Sequence, residues 1–165
     1  MTEARSLDAR LHHPLPELPE APVTLSEISS LRAAGVAAGI KASGRPDVAL
    51  LVADEPVACA GIFTQNLFSA APVVVSREHL RANGGMIRAV VVNSGNANAC
   101  TGEQGLRDAR ETCDRVARAL GCPAEQVLVC STGVIGHALP MEKVRAGVDA
   151  CLAALSAEPV PASLA

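Results

Sequence analysis

The chain has 165 residues, 49% hydrophobic and 19% charged, and its 14 basic against 17 acidic side chains leave a formal net charge of -3. That length fits one ordinary domain and is too short for two full-sized ones, and the composition is too apolar for a chain that stays unfolded. The acidic balance gives no positive field for nucleic acid or anionic lipid, and two phenylalanines with no Trp or Tyr provide no base-stacking platform.

Residues 1–30 mix Pro14, Pro16, Pro19 and Pro22 with acids and have no clean period, which predicts an extended or mobile leader. The adjacent His12 and His13 have no second ligand pair nearby and read as solvated tail residues. The opening MTEARSLDAR carries acids where a signal peptide has an apolar run. Six cysteines, Cys59, Cys100, Cys113, Cys122, Cys130 and Cys151, include no C-x-x-C pair, so free thiols are expected rather than disulfides or a metal site. No apolar stretch reaches the roughly 18 to 20 residues of a membrane helix. Together these predict a soluble protein of the reducing cytoplasm.

A single domain is expected over residues 31–155. Short apolar runs predict strands: VALLVA from Val48, VACAGIF from Val57, PVVVS from Pro72, MIRAVVVN from Met86 and VLVC from Val127. SGRPD, DEP and NGG separate them as turns, and the polar SREHLRANGG, which holds His79, reads as a solvated connection. Two helices share one stencil. Leu106, Ala109, Cys113, Val116, Ala117 and Leu120 fall on one helical face, and Met141, Val144, Val148, Cys151, Leu152 and Leu155 repeat the pattern. Arg107 with Glu111, Arg110 with Asp114, and Asp114 with Arg118 are spaced for i,i+4 ion pairs. Gly121 and Pro123 end the first helix, and Pro140 stands where the first turn of the second tolerates it. One-sided helices on a largely antiparallel sheet make an α+β layered fold, with α/β left open because VLVC is bracketed by helices. A core without large rings, each of which buries roughly 150 to 250 Å², favours support from a partner chain. Residues 156–165 read as a tail.

Two glycine-rich segments follow strands. NSGNANACTG, residues 93–102, concentrates amides and hydroxyls near a helix N-terminus, where backbone N–H groups favour oxygen ligands. Asn and Gly also cap helices and adopt left-handed backbone, so spacing alone leaves ligand loop and structural loop both open. CSTGVIG, residues 130–136, reads as a Ser-Thr-Gly turn that can aim N–H groups at an oxyanion, although a plain turn is the commoner use of those residues. Neither is a Walker or dinucleotide loop. A nucleophile needs a base in reach, and the two histidines inside the folded region, His79 and His137, sit in no elbow or triad pattern. Asp54, Glu55 and Glu142 read as hydrated charges.

The run RAAGVAAGIKASGRPDVALLVAD from Arg32, GIFTQN from Gly61 with AAPVVVS from Ala70, NSGNANACTGEQG from Asn93, and CSTGVIGHALPMEKVRAGV from Cys130 resemble, in order and with compatible spacing, the amino-terminal part of the ornithine acetyltransferase (bifunctional glutamate N-acetyltransferase) family of arginine biosynthesis. The resemblance implies an α chain that works with a β chain, usually as an α2β2 assembly whose sandwich of layers the partner completes. The β chain, released by self-cleavage, begins with the threonine nucleophile. Acetyl passes from N-acetylornithine, or in some members acetyl-CoA, to glutamate with no metal or organic cofactor. The family's oxyanion-stabilising Thr-Gly falls on Thr132 and Gly133.

The last threonine of this sequence is Thr132, so the nucleophile is expected on another polypeptide. Residues 1–30 and 156–165 depart from the family pattern. A catalytically silent chain of the same fold is the alternative, and a self-sufficient hydrolase using Cys130 or Ser131 a remote third.

Overall fold

The computed structural model describes residue 28 and residues 30–155. The predicted leader, apart from Ile28 and Ser30, lies outside the described residues, as do His12, His13 and the tail.

Strand β1 (Leu31–Val36) is followed by β2 (Val48–Ala58), helix α1 (Ala71–Ala82), β3 (Met86–Asn96), helix α2 (Gly102–Leu120), a short 3-10 turn (Ala124–Gln126), β4 (Val127–Val134) and helix α3 (Met141–Leu155). The strands form one sheet in the order β1-β2-β3-β4. β1 with β2 and β2 with β3 are antiparallel, while β3 and β4 are parallel, joined through α2. The fold is therefore α+β with a largely antiparallel sheet, and the bracketing of VLVC by helices produces its one parallel pair.

Period-two alternation decides which face is covered. Val48, Leu50 and Val52 of β2, Ala89 and Val91 of β3, and Val127 and Val129 of β4 point to one side and are buried. All three helices lie on that side: α3 over β1 and β2, α1 over β4, and α2 between the other two helices. Val75, Val116 and Val148 close the core from above, one from each helix. The other face carries Ala33, Ala49, Leu51, Val90 and Val92, all half-buried, and exposed Cys130. No described helix is long and apolar enough to cross a membrane.

The two stencilled helices bury the expected stripes. Ala109, Cys113, Val116 and Ala117 of α2, and Val144, Val148, Cys151 and Leu155 of α3, are buried. The charge pattern on α2 works differently from the expectation. Arg110 reaches Glu78 of α1 at 3.0 Å, and Glu111 pairs with Arg145 of α3 at 2.6 Å. Arg107 bonds Gln104, and Arg118 donates to the Asp114 carbonyl. Cross-helix partners in a packed layer displace the pairs a lone helix would make.

Four readings are corrected. PVVVS is the start of α1: Ala71, Pro72, Val75 and Ser76 are its buried residues, a helical spacing, and Pro72 occupies the first turn where it needs no donor. The β-branched run has strand propensity, but packing against β4 overrides it. SREHLRANGG is consequently the second half of that helix and its ending, not a connection. The predicted DEP turn lies within β2, which runs to Ala58 and absorbs those residues as a register shift between Val52 and Val57. Residues 59–63 of VACAGIF then leave the sheet.

The connection from β1 to β2 is held by one carboxylate. Buried Asp47 accepts from the Ala38 N–H at 2.6 Å and the Lys41 N–H at 2.8 Å. Burial raises its pKa, but the N–H groups of Lys41, Ala38 and Ile40, with the Lys41 charge, outweigh this and hold it below 3.8. The folded pKa lies below the unfolded one, so this stabilisation is present above about pH 4 and is lost as pH falls through the lower folded value. Asp47→Asn is expected to cost about 1.5–3 kcal/mol at pH 7. Urea unfolding of both proteins should show the gap closing under acid; a gap independent of pH would refute the assignment.

Candidate active site

β4 is an edge strand, and it extends further than VLVC. Residues 130–134, predicted as a turn, continue the strand beside the end of β3. Ser94 faces Thr132 and Gly95 faces Gly133, after which the register shifts so that Asn96 faces both Thr132 and Val134. Gly133 adopts φ 131°, and a Cβ there would overlap the Gly95 carbonyl carbon and lie 2.5 Å from the Asn96 nitrogen. Two glycines thus let two backbones touch.

Helix α1 closes the outer edge of β4, but only in its first half. Ser76 Oγ donates to the Val129 carbonyl at 2.8 Å and accepts from the Val129 N–H at 3.0 Å. His79 Nδ1 bonds the Val127 carbonyl at 2.8 Å. His79 is therefore a half-buried strand cap and not a solvated residue; with α1 unread as a helix, nothing in the spacing marked this role. Beyond Val129 this cover stops. Thr132, Gly133, Val134, Ile135, Gly136 and His137 are all exposed.

What holds this exposed segment in place is the asparagine loop. Ser131 Oγ donates to Asn93 Oδ1 at 2.6 Å, and Asn93 Nδ2 donates to the Asn96 carbonyl at 2.8 Å. Asn96 Nδ2 donates to the carbonyls of His137 and Ala138 at 3.2 and 3.1 Å, and its Oδ1 accepts from the Asn98 N–H at 2.8 Å. Asn98 Nδ2 donates to the Gly105 carbonyl at 2.9 Å, and its Oδ1 accepts from Thr101 Oγ1 at 2.8 Å. Backbone bonds from Ala97 to Val134 and from Gly136 to Ala99 complete the lock. All three asparagines are buried, and Asn98 and Cys100 are left-handed, at φ 46° and 57°. The loop's amides are spent on the protein itself, which decides for a structural loop. Parallel pairing of the strands that precede the two motifs brings them together, a contact that neither motif announces alone.

The hydrolase arrangement does not form. The Ser131 hydroxyl is committed to an asparagine rather than a base, and His137 enters the lock through its carbonyl. All six cysteines are free. Cys113 and Cys151 are buried, and burial pushes their thiols up to about 12 and about 11, so they are protonated fillers of the core. Among the described residues no group of three or more His, Cys, Asp or Glu is placed to hold a metal ion.

Comparison with known proteins fits this frame. The sequence profile of the ArgJ family matches residues 32–164. The arginine biosynthesis bifunctional protein ArgJ of Rhodopirellula baltica is 55% identical over 120 residues, 73% of this chain and 29% of that protein. The same-named protein of Symbiobacterium thermophilum is 56% identical over 128 residues, 76% of this chain and 31% of that protein. Crystallised ornithine acetyltransferase from Mycobacterium tuberculosis, in complex with ornithine, superposes with a TM-score of 0.72 at 49% identity, covering 76% of this chain and 67% of that one. The ArgJ structure from Bacillus halodurans gives 0.71 at 37% identity, covering 76% and 65%. The chain spans 29% of the first of these bifunctional proteins and 31% of the second.

Proposed function

This chain belongs to the ArgJ family, and we propose that it is the α-chain-like part of an ornithine/glutamate N-acetyltransferase, with residues 31–155 as its domain. In this reading Thr132 and Gly133 form the oxyanion hole, and a threonine nucleophile arrives at the N-terminus of a separate β chain. The observation that carries it is the exposed end of β4, fixed by buried amides while its outer side lies open. Alternation along β4, anchored by the outward Val129, supports an outward Gly133 N–H as the donor for that side in this reading.

The chemistry follows from such a donor site. The β-chain threonine hydroxyl attacks the acetyl carbonyl of N-acetylornithine while the threonine's own α-amine takes its proton. Donors about 2.7–3.1 Å from the new oxyanion stabilise it. The intermediate collapses, the C–N bond breaks, and ornithine leaves with the proton on its amine. The acetyl-threonine ester is then attacked by the glutamate amine, giving N-acetylglutamate and the free hydroxyl. No cofactor is required. Acetyl-CoA would enter as an alternative donor to the same ester. The half-buried apolar sheet face would receive the partner's layer in an α2β2 assembly, and free thiols suit a cytoplasmic biosynthetic enzyme.

The test is reconstitution. This chain, co-expressed with the remaining portion of the R. baltica relative, is expected to co-purify with it and to transfer acetyl from N-acetylornithine to glutamate. Thr132→Ala should lower kcat by about 10²–10³ with KM little changed. Co-purification without transfer would favour the silent-chain alternative, and failure of both would remove the subunit reading.

A further inference from the structure

A cleft of about 520 Å³ opens at the end of the sheet where β3 begins, between α1 and the irregular residues that follow β2. It lies at the opposite end of β3 from Gly95 and Gly133, and no step of the proposed acyl transfer uses it. Its lining residues include Phe63, Leu80 and Gln65 and two arginines, Arg77 and Arg81.

The two arginines stand one turn apart on α1 and face the same space. Arg77 is pre-set: its guanidinium lies 5.4 Å from the centre of the Phe63 ring, and its Nη2 donates to the Thr64 carbonyl at 3.0 Å. This fixes the ring and the cation together and leaves the guanidinium's other donors. No carboxylate lines the cleft. Glu78, the acid between the two arginines on α1, is turned away and bonded to Arg110 of α2. Elsewhere Arg32, Arg110, Arg115 and Arg145 are each bonded to a carboxylate. On a chain with net charge -3, a concave site with two cations and no acid is a local inversion of the overall field.

The volume suits a small metabolite, the cations select an oxyanion, and the ring and Leu80 select a flat or apolar body attached to it. The geometry points to a binding site for a small organic oxyanion, a phosphate monoester or carboxylate carrying a ring, held by Arg77 and Arg81 with its body against Phe63. This goes beyond acyl transfer and does not depend on it.

Titration of the full 165-residue chain with adenosine monophosphate, benzoate and inorganic phosphate, followed by amide and arginine Nε–H resonances, tests the assignment. The expected result is a saturable response confined to residues 63–65, Arg77 and Arg81 with at least one ring-bearing probe, tighter than inorganic phosphate. Whether the monophosphate or benzoate binds better identifies the oxyanion. Arg81 is exposed, so Arg81→Gln should leave the thermal midpoint unchanged and weaken binding about tenfold. Arg107→Gln on α2 should leave binding as it was. The assignment is overturned if no probe perturbs the cleft, if inorganic phosphate binds as tightly as both ring-bearing probes, or if Arg81→Gln binds like the parent.

Discussion

Gly133→Ala is expected to destabilise the chain by about 3 kcal/mol or more and to abolish acetyl transfer in the reconstituted assembly. Two terms add. At φ 131° an L side chain is strained, which costs of order 1–3 kcal/mol. The new methyl also has nowhere to go, because its neighbours are the Gly95 carbonyl and the Asn96 nitrogen, which are backbone of the adjacent strand. A flexible side chain would move aside; a paired strand shifts only by breaking the ladder that positions Thr132. Urea midpoints give the first number and kcat the second. A stability change under about 1 kcal/mol would show that β3 and β4 do not approach so closely.

Asn98→Ala should cost about 3–5 kcal/mol, the largest effect expected from any side chain in the loop. It is fully buried, and truncation leaves the Thr101 hydroxyl without its acceptor and takes from the Gly105 carbonyl the bond it accepts beyond its helical one. The orphaned hydroxyl and the lost amide bond together cost about 2–3 kcal/mol, and alanine must still adopt the left-handed backbone at φ 46°, which adds roughly 1–2 kcal/mol. Asn98→Gly separates the terms, since glycine accepts that backbone without restoring either bond. The glycine protein should therefore be the more stable of the two by about 1 kcal/mol. Equal midpoints would mean that the conformation contributes nothing and the amide everything.

Legibility in the sequence followed period and context. β3, α2 and α3 could be read because each has a long, regular apolar pattern with a clear stop, such as NGG before β3 or Gly121 after α2. Helix α1 could not, because its first turn is a proline and three valines and its burial pattern depends on β4, 53 residues away, through Ser76 and Val129. The DEP triplet looked like a turn because Asp and Pro usually make one; inside β2 the register shift lets Pro56 do without a ladder donor. For the candidate site, the motif resemblance pointed to Thr132 and Gly133 as a proposal, whereas the structural meaning of the asparagines needed the parallel pairing. An amide that can bind a ligand or a carbonyl looks the same until its neighbours are in place.

The cover that Ser76 and His79 place over Val127 and Val129 has a consequence for self-association. An unprotected edge strand is a template for another chain, and β4 would otherwise offer its whole eight-residue length. With its first half bonded to α1, only residues 130–134 remain, a span of about 17 Å. Recruiting a foreign strand over so short a rim gives few ladder bonds, while a compact group that needs only one or two donors loses nothing. On this side the molecule discourages fibre-like growth while leaving the short rim of the proposed donor site uncovered.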